Sequence, residues 1–255
     1  MRQIDVNADL GEGYGPYRIT DDAALLPLLT SVNIAGGRHA GDPTVMAETV
    51  QGALAVKARL GCHIGYPDRQ GFGRRAMGLT HRELEMEVIA QLGVLSAIAA
   101  HHGGALSHAN FHGALGNLSF VDADVARTLI GALKAFDPNL QFIGLPDTEA
   151  SREADRQGLR VVRSFLADRG YSAPGRLAPR GMDGAVIHDP ARVRARVTAV
   201  LREQSLTSVT GEEIRMPVDS ILVHSDTPGA MTLAHAIRAG IEDAGCEIAG
   251  YPSTR

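Results

Sequence analysis

The chain has 255 residues, of which 44% are hydrophobic and 21% charged, with a formal net charge of -4. This length and composition suit one large buried core and exclude a disordered chain, and the charge balance offers no basic face to a nucleic-acid backbone. Two cysteines, Cys62 and Cys246, are too few for a disulfide framework, and the opening MRQIDVNADL has no apolar run behind its arginine, so a cytoplasmic location without a signal peptide is expected.

In chain order, short apolar runs alternate with segments of helical period. IDVNADL (4–10) and LLTSVNIAG (28–36) read as strands. A helix is predicted over 42–61, with Asp42 as N-cap, Pro43 at its first position and Gly61 as its stop. GCHIGYP (61–67) reads as a short buried strand. Residues 80–103 open on Thr80 with Glu83 three places on, a capping box; Glu85, Glu87 and Gln91 mark this helix as a core element and not a membrane span. Then come a strand at 105–113, a helix at 122–136, a strand at 140–145, a helix near 147–157 and a strand at 159–168. Residues 169–188 show no clear element and read as a functional loop. A helix at 189–204, a strand at 219–226 and a helix at 228–245 complete the chain.

About seven strand–helix units predict an α/β fold with a parallel sheet and helices outside. An irregular (β/α) barrel spanning 1–255 as one domain is favoured over an open sheet because of where the polar residues fall. Asn7, Asp9 and Glu12, then Asn33 and His39, His63, then His108, Asn110 and His112, Asp168, and finally His224 and Asp226 follow the carboxyl ends of successive strands. Strand-to-helix loops converge at that edge in parallel α/β folds, and polar groups there are expensive to bury unless they have work to do. Asp9, His39 and His63 make a carboxylate–imidazole set suited to a divalent metal such as Zn²⁺. The competing use is acid–base chemistry, with Asp9 or Glu12 accepting a proton and His112 donating one. The glycines of VNIAGGRHAGDP (32–43) let the loop backbone approach a ligand, and Arg74 in GFGRR (71–75) is placed to clamp an anion.

VNADLGEGYG, NIAGGRHAGDP, GYPDRQGFGRR, HGALGN, LADRGY, APRGMDGAVIHD and VHSDTP together resemble the LamB/YcsF family, the family of 5-oxoprolinase A-type subunits, in order over residues 4 to about 240. The resemblance implies a barrel of the glycoside hydrolase/deacetylase type and ATP-dependent opening of 5-oxoproline to glutamate, using ATP with Mg and partner subunits B and C. It implies catalytic roles for Asp9, Glu12 and His112, and substrate or ATP contacts for Asn7, Asn33, Asp42, Arg74, Asn110, Asp168, Arg180, His224 and Asp226. The motifs also differ in places. Asn110, Phe111 and Gly116 stand where the family has lysine, proline and tyrosine, and Ser164 where it has glutamate. Arg38 is a new cation suited to replace the missing lysine. Two alternatives therefore stay open: a metal-dependent hydrolase of another lactam or amide that needs no ATP, and a non-catalytic small-molecule-binding barrel. Homo-oligomerisation is also left open.

Overall fold

The first strand shows how the barrel is built. In β1 (Gln3–Leu10), Ile4, Val6, Ala8 and Leu10 are fully buried on one face and join the core beneath the helices. Asp5, Asn7 and Asp9 alternate with them and face the neighbouring strands' polar side chains. Period-two alternation with both faces buried requires a sheet covered on both sides, as a closed barrel provides.

The computed structural model describes residues 1–252 other than Pro174, Arg180 and Pro228. After β1 come a short helix α1 (Asp22–Leu25), β2 (Ser31–Ala35), α2 (Pro43–Ala55), β3 (Arg59–Ile64), α3 (His81–His101), β4 (Leu106–Phe111), α4 (Gly113–Ser119) and α5 (Ala123–Phe136). Then follow β5 (Gln141–Gly144), α6 (Glu149–Gln157), β6 (Val161–Leu166), a small hairpin of β7 (Tyr171–Ser172) and β8 (Arg176–Leu177), and α7 (Pro190–Glu203). A second hairpin, β9 (Ser205–Thr207) and β10 (Glu213–Arg215), leads to β11 (Ser220–Val223), α8 (Ala230–Asp243) and β12 (Glu247–Ile248). Strands β1 to β6 pair in parallel in sequence order, and β11 closes the ring by pairing with both β6 and β1. The barrel is thus closed and seven-stranded, and β12 adds to the start of β1.

The start signals act as predicted. Asp42 Oδ1 accepts from the N–H groups of Thr44 and Val45 at the start of α2, and Thr80 and Glu83 form the reciprocal capping box of α3. Two signals are corrected. Gly61 lies inside β3 and does not stop α2, which ends at Ala55; a Cβ at Gly61 would fall 2.0 Å from His108 Nε2, so this glycine makes room inside the barrel. The DTP run does not cap α8, whose N-cap is Gly229. Helix α3 is long and apolar enough by composition to cross a membrane, but its Leu84, Val88, Leu92, Leu95 and Ala99 are buried, and it packs on α5 and β3.

Polar residues are not confined to the strand ends as expected. The barrel interior itself is polar. Asp5 accepts from Ser31, Thr30 and Ser220; Asn7 Nδ2 donates to Ser220 Oγ at 2.6 Å; and Asn33 Nδ2 donates to Asn7 Oδ1 at 2.7 Å and Asp9 Oδ1 at 2.9 Å. His108 Nε2 donates to Asn33 Oδ1 at 2.8 Å, and Tyr251, from beyond β12, donates its hydroxyl to His108 Nδ1. Buried polar groups persist only when paired, and here each offsets its desolvation with a neighbour in the ring.

Candidate active site

The carboxyl ends of the strands open on a cavity of about 560 Å³. Asp9 and Glu12 reach it from β1 and the loop after it, His63 from β3, Asn110 and His112 from the end of β4, and His224 and Asp226 from beyond β11. Phe142, Ile143, Leu166, Leu177 and Leu222 form an apolar wall. The segment 169–188, read from sequence as a functional loop, supplies Arg169, Arg176, Leu177 and Ala178 to the lining.

Four side chains crowd one side of this cavity. Among the described residues, Glu12, His39, His63 and His112 bring one ligand-type atom each to within 4.8 Å of the others. Glu12 Oε1 lies 3.4 Å from His39 Nε2, 3.9 Å from His63 Nε2 and 3.8 Å from His112 Nδ1. His39 and His112 stack with their ring centres 3.9 Å apart. Gly73 makes that possible: it sits at φ +62°, and a Cβ there would come within 2.8 Å of His39 and 2.9 Å of His112.

The outer nitrogens fix the inner ones. His112 Nε2 lies 2.7 Å from the carbonyl of Phe72, which only accepts, so this nitrogen holds the proton and Nδ1 is left with a lone pair. His63 Nδ1 likewise faces Asn110 Oδ1 at 2.8 Å, leaving the lone pair on Nε2. These two lone pairs meet at 2.9 Å, a repulsive arrangement unless a cation stands between them. Glu12 Oε1 and both ring nitrogens of His39 are buried without a hydrogen bond. Unpaired buried acceptors around one point are what a metal site lacks before its ion arrives. The spacings also bracket the roughly 3.3 Å edge of a tetrahedron with zinc–nitrogen bonds of about 2.0–2.1 Å. The residues therefore fit a divalent cation. The set differs from the expected Asp9–His39–His63: Glu12 and His112 join it, and Asp9 stands beside it, 3.4 Å from His63 Nε2.

The electrostatics agree. Burial, reinforced by the charge of Asp9, pushes the Glu12 carboxyl well above the usual carboxylate range. Burial also holds His39 well below its ordinary value, with His112 and His63 adding to the effect. His112 is pushed down to about 3 by burial and by His63. Neutral imidazoles are the metal-binding form.

The remaining candidates divide by position. Arg74 lines the cavity and donates to Asp226 Oδ2 at 2.5 Å. His224 lines it too, with Nδ1 2.8 Å from both carboxylate oxygens of Asp168. Asn7 and Asn33 lie beneath the cavity, fully buried in the barrel ring, where Asn33 orients Asp9. Asp42 faces away from it, capping α2 and accepting from Gly15 N. Arg180 is outside the described residues. Arg38 does not take the place of a cavity cation: it pairs with Glu87 at 2.6 Å with its side chain 43% exposed. All four positions where the motifs differ, Asn110, Phe111, Gly116 and Ser164, line the cavity.

Sequence reading missed Arg176, because no recognisable element surrounds it, and Asp5 and Tyr251, because only ring closure makes them neighbours of the interior chain. That chain has a consequence for stability. Burial, then Arg59 and His63, push His108 down to about 3. An unfolded histidine titrates near 6.5, so as pH falls below that the unfolded chain takes a proton that the folded barrel refuses. This contribution is complete above about pH 6.5 and drains as pH falls toward about 3. Asp5, whose carboxyl burial raises, acts in the opposite sense. The urea midpoint of metal-free protein is expected to drop across this window, and His108→Gln to flatten the drop; equal slopes would discard the assignment.

Fold and site together define a seven-stranded parallel barrel protein with a metal-competent carboxylate–histidine centre at the carboxyl mouth. The chain belongs to the LamB/YcsF family, whose profile matches residues 4–255. It is 46% identical over 95% of its length to the 5-oxoprolinase A-subunit 1 of Pseudomonas syringae pv. tomato, covering 95% of that protein. It is 48% identical over 96% of its length to the 5-oxoprolinase A-subunit 2 of Ralstonia nicotianae, again covering 95% of the relative. The crystal structure of a lactam utilization protein from Thermus thermophilus superposes with a TM-score of 0.93 at 38% identity, over 98% of this chain and 100% of that one.

Proposed function

We propose that this chain is the A-type component of a cytoplasmic, ATP-dependent 5-oxoprolinase that opens the lactam to glutamate together with subunits B and C. The observation that carries the reading is the convergence of unpaired buried donors with cavity-lining acid and base groups, in a chain whose relatives bear the names 5-oxoprolinase A-subunit and lactam utilization protein. Glu12, His39, His63 and His112 would hold a divalent metal, Zn²⁺ or similar, which as a Lewis acid polarises a carbonyl. Asp9, oriented by Asn33, is the base for an attacking water. Arg74, Arg169 and Arg176 bring positive charge to the cavity for the substrate carboxylate. ATP with Mg activates an otherwise unreactive amide carbonyl by phosphorylating its oxygen.

The chain reconstituted with its B and C subunits is expected to release glutamate from 5-oxoproline only with ATP and Mg. A complete mixture that turns over nothing would reject the reading. A second reading rests on Asn110, Phe111, Gly116 and Ser164: with these small or uncharged residues lining about 560 Å³, the cavity suits a lactam larger than 5-oxoproline. Turnover of substituted lactams in preference to 5-oxoproline, with or without ATP, would select it.

A further inference from the structure

The Glu12–histidine cluster draws its residues from β1 to β4 and the loops that follow them. A second acid–base pair stands on the other arc of the mouth, where β6 and β11 are neighbours. Asp168 lies just past the end of β6 and His224 just past the end of β11. Asp168 is 3% exposed, and both its carboxylate oxygens lie 2.8 Å from His224 Nδ1. A carboxylate accepts only, so Nδ1 carries a proton and the ring is locked in one orientation. His224 lines the cavity that Asp9, Glu12, His63 and His112 also line, so one bound molecule reaches both arcs.

Opening a cyclic amide makes two proton demands. Water loses a proton as it adds to the carbonyl carbon, and the ring nitrogen must gain one as it departs, because an amide anion is a poor leaving group. Asp9 meets the first demand. We propose that His224 meets the second: it is the catalytic proton donor to the departing nitrogen, and Asp168 is its positioning residue. This rests on the reading of the chain as a lactam-opening subunit.

The step balances. The oxygen of water bonds to the carbonyl carbon and its proton passes to Asp9. The C–N bond breaks, its electron pair stays on nitrogen, and nitrogen takes the proton from His224 Nε2. Asp9 then loses its proton to solvent and His224 regains one. The count at nitrogen is the same whether the tetrahedral carbon carries a second hydroxyl or a phosphoryl-bearing oxygen. Burial alone would lower the basicity of His224, but Asp168, with Asp9 and Asp226, raises it, so the ring is charged near neutrality and able to donate.

The test uses the chain assembled with its B and C subunits and 5-oxoproline, ATP and Mg. His224→Gln is expected to lower kcat for glutamate release by about 10²–10⁴-fold with KM little changed. Bound metal should stay at the wild-type level. Asp168→Asn, which misorients the imidazole, should lower kcat too. In His224→Ala, added imidazole should restore part of the lost rate, which no purely structural defect would allow. Active wild type with unaffected His224→Gln, or loss of rate in His224→Ala that imidazole leaves untouched, overturns the proposal alone. An inactive wild-type assembly overturns the parent reading and the proposal with it.

Discussion

Protein carrying His63→Ala is expected to emerge from purification without the divalent metal that the wild-type chain retains. His63 Nε2 stands close to its neighbours on three sides: 2.9 Å from His112 Nδ1, 3.4 Å from Asp9 Oδ2 and 3.9 Å from Glu12 Oε1. Its removal deletes a ligand and also frees Asn110, which fixes the ring through Nδ1. Loss of a supporting contact alone lowers metal affinity by about 10–100-fold, so loss of the ligand should exceed roughly a hundredfold. Metal analysis of both proteins after identical loading gives the answer, and added Zn²⁺ should raise the unfolding midpoint of wild type only. Equal metal in the two proteins, or none in loaded wild type, would mean that a shared proton and no ion occupies the space between His63 and His112.

The second large effect concerns stability. Asn33→Leu keeps the approximate volume and removes three hydrogen bonds at once, to Asn7, Asp9 and His108. Asn7 Oδ1 and the His108 Nε2 proton are then stranded in a fully buried ring, while Asp9 can turn to the cavity. At about 1–3 kcal/mol for each stranded group, the expected loss is roughly 3–5 kcal/mol. That is a large share of the roughly 5–15 kcal/mol typical of a whole domain. Urea unfolding measures it directly. A loss below about 1 kcal/mol would show that the interior chain of hydrogen bonds is dispensable.

The elements were legible because local physics governs them. Helix α2 starts where Asp42 and Pro43 place it, and α3 starts at the Thr80 capping box. The alternation in IDVNADL marks a strand, although period two alone does not reveal that its polar face looks into a barrel and not into solvent. The candidate residues were legible as a group, because Asp9, Glu12, His39, His63, His112 and His224 all follow strand ends. Their partnerships were not. Asp42 and Asn33 stand beside strand ends just as Glu12 does, yet one caps a helix and the other supports Asp9 from below.

What the sequence determined by itself, then, is the succession of strands and helices, the edge at which the chemistry gathers, and the family, because each depends on neighbours along the chain or on whole motifs. What only the tertiary structure decided is which side chains share a point in space. Closure of β11 onto β1 brings Ser220 to Asp5 across 215 positions, and the loop after β3 brings Phe72 to His112 across 40. Those long-range contacts select the lone pairs that face one another, and so turn scattered histidines and one glutamate into a centre that calls for a cation.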